Sequence, residues 1–174
     1  MIKQIFTLFI AISFSGVLLA QNTPQILSGN VKVVFPGKPD EQKLPTGGSM
    51  YLYAKDTSAG YMAMGLDLSG MGLSADMVSA MGDLLWDQLK GGLVSQMGGV
   101  VITKDQVTQF KGKNSLYLEL DGTKSDNAQF RGKKAFGYLF FIGSVLHQVM
   151  YLSAAPDAKA ENAQSFFDSV EIAK

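Results

Sequence analysis

The sequence predicts an α+β fold built on a mostly antiparallel sheet of about six to seven strands. Two observations carry that prediction. The apolar period switches from two to three and four and back again along the chain, and the order is strands, one helix, many strands, a last helix. A parallel doubly wound fold would instead alternate strand with helix.

The chain has 174 residues, and its start differs from the rest. Lys3 is followed by the apolar run Ile5 to Leu19, closed by Ala20. A basic start, a short apolar stretch and a small residue before the cut are the layout of a secretory signal peptide, so residues 1–20 are expected to be removed after Ala20. Residues 21–30, polar and containing Pro24, read as a flexible lead, and 31–174 as a single domain large enough to bury its own core. Loss of Lys3 leaves the mature chain at a net charge of −1, with no pull toward nucleic acid or an anionic membrane. Cysteine is absent. An exported chain of this size without disulfides fits a bacterial envelope protein, periplasmic or secreted, with no lipid-bearing N-terminal cysteine and no transmembrane segment once cut.

Val31, Val33 and Phe35 alternate with Lys32, Val34 and Pro36, giving a strand buried on one side. Pro36 and Pro39 remove two backbone donors and stop it, with Gly37 supplying the turn. Met50 to Ala54 and Gly60 to Leu66 form a hairpin across Lys55 to Ala59 and are expected to continue a meander from the first strand. From Ser74 the apolar residues Met77, Val78, Met81, Leu84, Leu85 and Leu89 recur at helical spacing. A helix over about 74–90 follows, capped by Ser74 and ended by Gly91-Gly92. Strand character returns at 100–102, 107–110 and 116–120, and a long hairpin spans 130–141 and 145–153 across Gly143-Ser144, in the sheet centre. A final helix over about 158–168, capped by Asp157, buries Ala163, Phe166 and Phe167.

Three of these features together resemble a known family. Phe35-Pro36-Gly37-Lys38-Pro39, the amphipathic helix some forty residues on, and the closing Phe166-Phe167-Asp168-Ser169-Val170 are similar to the small exported PsbP-like domains of bacteria, whose namesake is an extrinsic subunit of photosystem II. The resemblance spans nearly the whole mature chain. It implies an αβα sandwich, a central antiparallel sheet covered on both faces, and a non-enzymatic role in assembly or docking with no catalytic residue to carry over. The lipid-anchor cysteine of some bacterial relatives has no counterpart here.

Read for chemistry, the residues offer little catalysis. His147 is the single histidine, set in the apolar run Val145 to Leu152 with no Gly-x-Ser-x-Gly elbow, so a hydrolase-type enzyme ranks third among the readings. Nine methionines are the richer resource. Met62, Met64 and Met71 are the ligand set of an alternative reading, a methionine-based carrier of copper or another soft metal, although methionines at Met77 and Met81 read as core. Lys111, Lys113, Arg131, Lys133 and Lys134 would form one basic docking patch if adjacent in the sheet, and Met71 lies in an apolar glycine-rich loop suited to contact. The expected function is an exported, non-enzymatic protein that binds an unknown periplasmic protein or small ligand and needs no cofactor.

Overall fold

The computed structural model describes residues 22–28, 30–44, 47–128 and 130–173. The expected leader lies outside them. The described residues form two antiparallel sheets and three α-helices, an α+β sandwich as the sequence predicts.

The smaller sheet gathers the two ends of the domain. Strands β1 (Thr23–Leu27) and β2 (Val31–Phe35) make a hairpin, and β10 (Glu171–Ile172) pairs with the other edge of β2. Residues 23–27 are thus not a flexible lead. Pro24 is tolerated because β1 is an edge strand, where a missing N–H costs no ladder bond, and the outward-facing Ile26, 64% exposed, hides the alternation that the buried Leu27 belongs to. In β2 the expected alternation holds, with Val31, Val33 and Phe35 fully buried. Pro36 ends it, but the chain does not continue into a meander with it. Residues 36–39 carry the chain from the small sheet to the large one, and Gly37 is needed there because a Cβ would lie 2.5 Å from the Tyr53 ring.

The larger sheet has the order β3-β4-β5-β9-β8-β7-β6. Its strands are β3 (Asp40–Lys43), β4 (Gly48–Ala54), β5 (Ala59–Asp67), β6 (Val101–Phe110), β7 (Lys113–Asp121), β8 (Lys134–Ile142) and β9 (Val145–Ser153). The β4–β5 and β8–β9 hairpins are those the sequence predicts, and β5 pairs with β9 to join the two halves at the centre. Residues 130–133, expected as strand, form turns before β8. Strand β3 escaped sequence reading because Asp-Glu-Gln-Lys has no apolar period; pairing with β4 makes it a strand.

Alternation sorts side chains to two cores. One face of the large sheet places Ala63, Phe136, Phe140, Val149 and Tyr151 against the small sheet and the C-terminal helix α3 (Gln164–Asp168). The other sends Met62, Met64, Leu118, Leu139 and Met150 against Trp86, Leu93 and Met97 at α2 (Asp83–Gln96). The closing motif stitches the first of these cores. Phe166 and Phe167 are buried, and Ser169 Oγ accepts the Val34 N–H at 3.0 Å and donates to the Phe166 carbonyl at 2.7 Å.

The helical regions depart most from expectation. Ser74 does cap, its Oγ accepting the Met77 N–H at 3.2 Å, but the helix breaks after α1 (Ala75–Met81) at Gly82, whose φ of 51° and ψ of −128° suit glycine. Gly91-Gly92 does not end α2, which runs through to Gln96 because Leu93, beyond the glycines, packs on the sheet. The expected stripe is only partly buried: Leu85 faces the core, with Trp86 beside it, whereas Met77 is 48% and Leu84 59% exposed. The expected helix over 158–168 is a 3-10 turn (Ala160–Ala163) leading into the short α3. Asp157 does not cap it; Asn162 Oδ1 accepts the Lys159 N–H at 2.8 Å instead.

Candidate functional site

His147 sits in the aromatic core, 1% exposed, its ring stacked on Phe140 at 5.1 Å. It shares a 3.1 Å hydrogen bond between Nε2 and Ser28 Oγ, while Nδ1 is buried without a partner. Burial pulls its pKa down to about 4, only partly offset by the nearby backbone of Val145 and Ser28. That is the setting of a tether between the β1–β2 turn and the large sheet. A general base needs access to a substrate proton, and this ring has none.

The five basic residues expected to form a patch are divided. Lys111 and Lys113 lie where β7 begins, whereas Arg131, Lys133 and Lys134 lie where it ends, since Lys134 pairs with Asp121. Eight residue steps at about 3.3 Å separate the groups by roughly 26 Å. Several bind backbone locally. Lys111 Nζ donates to the Asp168 carbonyl at 2.8 Å, Lys134 Nζ to that of Pro156 at 2.6 Å, and Arg131 Nη2 to that of Asp126 at 3.0 Å. Positive charge here fastens loops to the sheet.

Met62 and Met64 project together on β5 as their spacing requires, but into the second core, where they meet Met150 and Met50 as cross-strand partners. Met71 stands apart from that core, 38% exposed on a 3-10 turn (Ser69–Met71). Met77, placed in the core by its spacing, is a surface residue.

One serine has a lysine in reach. On the β3–β4 edge Lys43 Nζ lies 3.0 Å from Ser49 Oγ, the spacing of a serine–lysine pair. The adjoining carboxylate cancels that chemistry. Glu41 Oε1 accepts from Lys43, from Ser49 Oγ at 2.8 Å and from Tyr51 OH at 3.1 Å. Its charge raises the lysine pKa, so Lys43 stays a cation and cannot take a proton from Ser49.

A groove of about 430 Å³ lies on the aromatic face, between β6, β7 and β8 on one side and residues 158–161 on the other. It is half open to solvent, and its accessible lining is more polar than apolar. Strand alternation builds it: Lys104 from β6, Tyr117 and Glu119 from β7 and Tyr138 from β8 turn to the same side, and Lys159 and Glu161 rise from the facing wall. Phe110 stacks on Tyr138 at 4.1 Å, and Tyr117 lies 5.0 Å from Tyr138, so the ring row of the core runs into the groove floor. Tyr117 OH donates to Glu119 Oε1 at 3.1 Å, and Lys104 Nζ stands 3.6 Å from the same oxygen and 5.4 Å from the Tyr117 ring centre. Burial, then the negative charges of Glu119 and Glu161, push the Tyr117 pKa far up. Burial and the charge of Asp168 also raise that of Tyr138. Both phenols therefore stay protonated and neutral, and Tyr117, whose one hydroxyl hydrogen goes to Glu119, keeps its oxygen free to accept.

Sequence reading missed this groove for a local reason. Thr103 to Gln106 are all polar, so β6 read as two apolar fragments, although beyond the bulge between Ile102 and Lys104 the residues Lys104, Gln106 and Thr108 stay in register with Glu119, Tyr117 and Ser115. The alternation Lys104-x-Gln106-x-Thr108 opposite Tyr117-x-Glu119 was the available signal. Among the described residues no cluster of three or more His, Asp or Glu could hold a metal, and no helix is long and apolar enough to cross a membrane.

No family model matches the chain, and no curated protein matches its sequence. Among solved structures it is similar to a cyanobacterial PsbP from Synechocystis sp., with a TM-score of 0.49 and 13% identity over 92% of this chain and 97% of that one. A protein of unknown function from Pseudomonas aeruginosa matches with a TM-score of 0.47 and 11% identity over 76% of this chain and 92% of that one. A Bacteroides thetaiotaomicron protein matches at 0.45 and 8% over 83% of this chain, which spans 45% of its length. At these identities and TM-scores the likenesses convey no ligand or activity.

Proposed function

We propose that the protein is an exported, non-catalytic binding domain whose ligand occupies the groove between β6–β8 and residues 158–161. The groove itself carries the proposal: an aromatic floor with two neutral phenols, two carboxylates and two lysines converge on about 430 Å³ at the open end of an otherwise covered sheet face. A few oriented polar groups over an aromatic floor fix a ligand without reacting with it. The leader-like start of the sequence supports export into an envelope compartment.

Native mass spectrometry of the full-length gene product, purified from the compartment it reaches in its own cells, tests this. A co-purifying mass that is lost in Tyr117→Leu supports the groove as the site. A mass retained by that variant, or a chain carrying nothing in its own compartment, counts against it.

A further inference from the structure

Within the groove the position of Lys104 is informative. Its ammonium stands over the face of Tyr117, 5.4 Å from the ring centre, where the negative quadrupole of the ring attracts a cation. It is weakly held there. The side chain is 53% exposed, and its 3.6 Å approach to Glu119 Oε1 is long beside a charge-assisted hydrogen bond of about 2.7–2.9 Å. Tyr117 OH makes the closer contact to that oxygen. A second carboxylate, Glu161, lines the opposite wall, near enough for its charge to be felt at the Tyr117 phenol, and forms no ion pair among those of the described residues. The groove is also far larger than the tip of one lysine.

We propose that the Tyr117 face, flanked by Glu119 and Glu161, is an ammonium subsite, and that Lys104 fills it as an internal placeholder which a ligand amine displaces. The inference rests on the groove being the binding site. Lys159 adds a cation to the facing wall, which disfavours a ligand that is cationic throughout and favours one that also carries an anionic group. The ligand class is therefore a zwitterionic amine, an amino acid or a short peptide presenting its amino group.

The test is a titration of labelled protein with ε-aminocaproate, caproate and hexylamine, read at the Tyr117 and Tyr138 ring resonances by NMR. The account expects ε-aminocaproate to move these signals most. Lys104→Gln should tighten its binding several-fold, because no placeholder remains to be displaced, and Glu161→Gln should weaken it about tenfold. Caproate binding as well as ε-aminocaproate, or weaker ε-aminocaproate binding in Lys104→Gln, overturns the ammonium subsite while leaving the groove a binding site. No movement at either tyrosine with any of the three probes overturns the subsite too, and whether the groove binds another class then rests on the mass measurement with Tyr117→Leu.

Discussion

The two faces of the large sheet solve the same burial problem with different chemistry. On one, rings meet rings: Phe35 and Phe166 are 5.3 Å apart, Tyr61 and Phe166 5.1 Å, and Tyr138 and Phe167 5.3 Å. On the other, Met50, Met62, Met64, Met97 and Met150 fill the space beneath α2. Aromatic pairs have preferred geometries, whereas methionine adapts to whatever gap remains. The first face therefore fixes how the small sheet and α3 sit, and the second accommodates a helix broken at Gly82 and carrying two glycines. The contrast also locates the groove. The ring row is covered as far as Phe167 and runs on through Tyr138 and Tyr117 toward β6, where that cover ends.

The sharpest way to break this comparison is to delete one side chain from each face. Phe166→Ala removes a buried ring that touches Phe35 and Tyr61, and should cost about 3–5 kcal/mol in chemical denaturation. Met62→Leu in the other core should cost under about 1.5 kcal/mol. Equal losses would show that the faces do not differ in how strictly they are packed.

Acid provides the next largest effect, and it acts on the aromatic face. The His147 pKa is about 4 in the fold against 6.5 when free, so the unfolded chain binds the proton more readily. This contribution is fully present above about pH 6.5 and is lost as pH falls toward 4, on the order of 3 kcal/mol in all. Denaturation between those pH values should show that loss in the parent and a flatter profile in His147→Gln; identical profiles would assign the loss to other groups. Ser28→Ala leaves the ring with no side-chain partner and should cost about 1–3 kcal/mol by the same measurement. Neutral behaviour would mean that water or a shifted backbone replaces Ser28.

The smallest change sharpens the picture of the adaptable face. Gly91 is exposed within α2, and a Cβ there meets nothing within 4 Å. Gly91→Ala should raise stability by up to about 1 kcal/mol. A loss would mean that the glycine terminates the helix after all.

The legible parts of this fold were those where one local rule acts alone. Alternation revealed β2, the β4–β5 hairpin and the β8–β9 hairpin, because each has one clear apolar face or strong turn residues. Ser74 was a readable cap. Gly82 and Gly91-Gly92 were not separable in sequence: all are glycines, and only the packing of Leu93 decides that the helix passes the later pair. Met77 has helical spacing relative to Leu84 and Leu85, yet the break at Gly82 rotates α1 away from the core. Strand β1 hid behind Pro24 and Ile26, and β3 behind its charge. The candidate site was hidden most fully, since its residues come from β6, β7, β8 and the 158–161 segment, and the polar run Thr103 to Gln106 gives the middle of β6 no apolar period. The basic residues singled out in sequence are close in type and remote in space.

The measurement closest to the central claim is aromatic-selective NMR of the full-length gene product before and after addition of a low-molecular-weight extract of the cells that make it. The account predicts shifts at Tyr117 and Tyr138, with the ring signals of Phe35 and His147 in the covered core unchanged. A shift confined to the Trp86 ring of α2, with the groove tyrosines unmoved, would contradict it and place the binding surface on the helical side of the molecule.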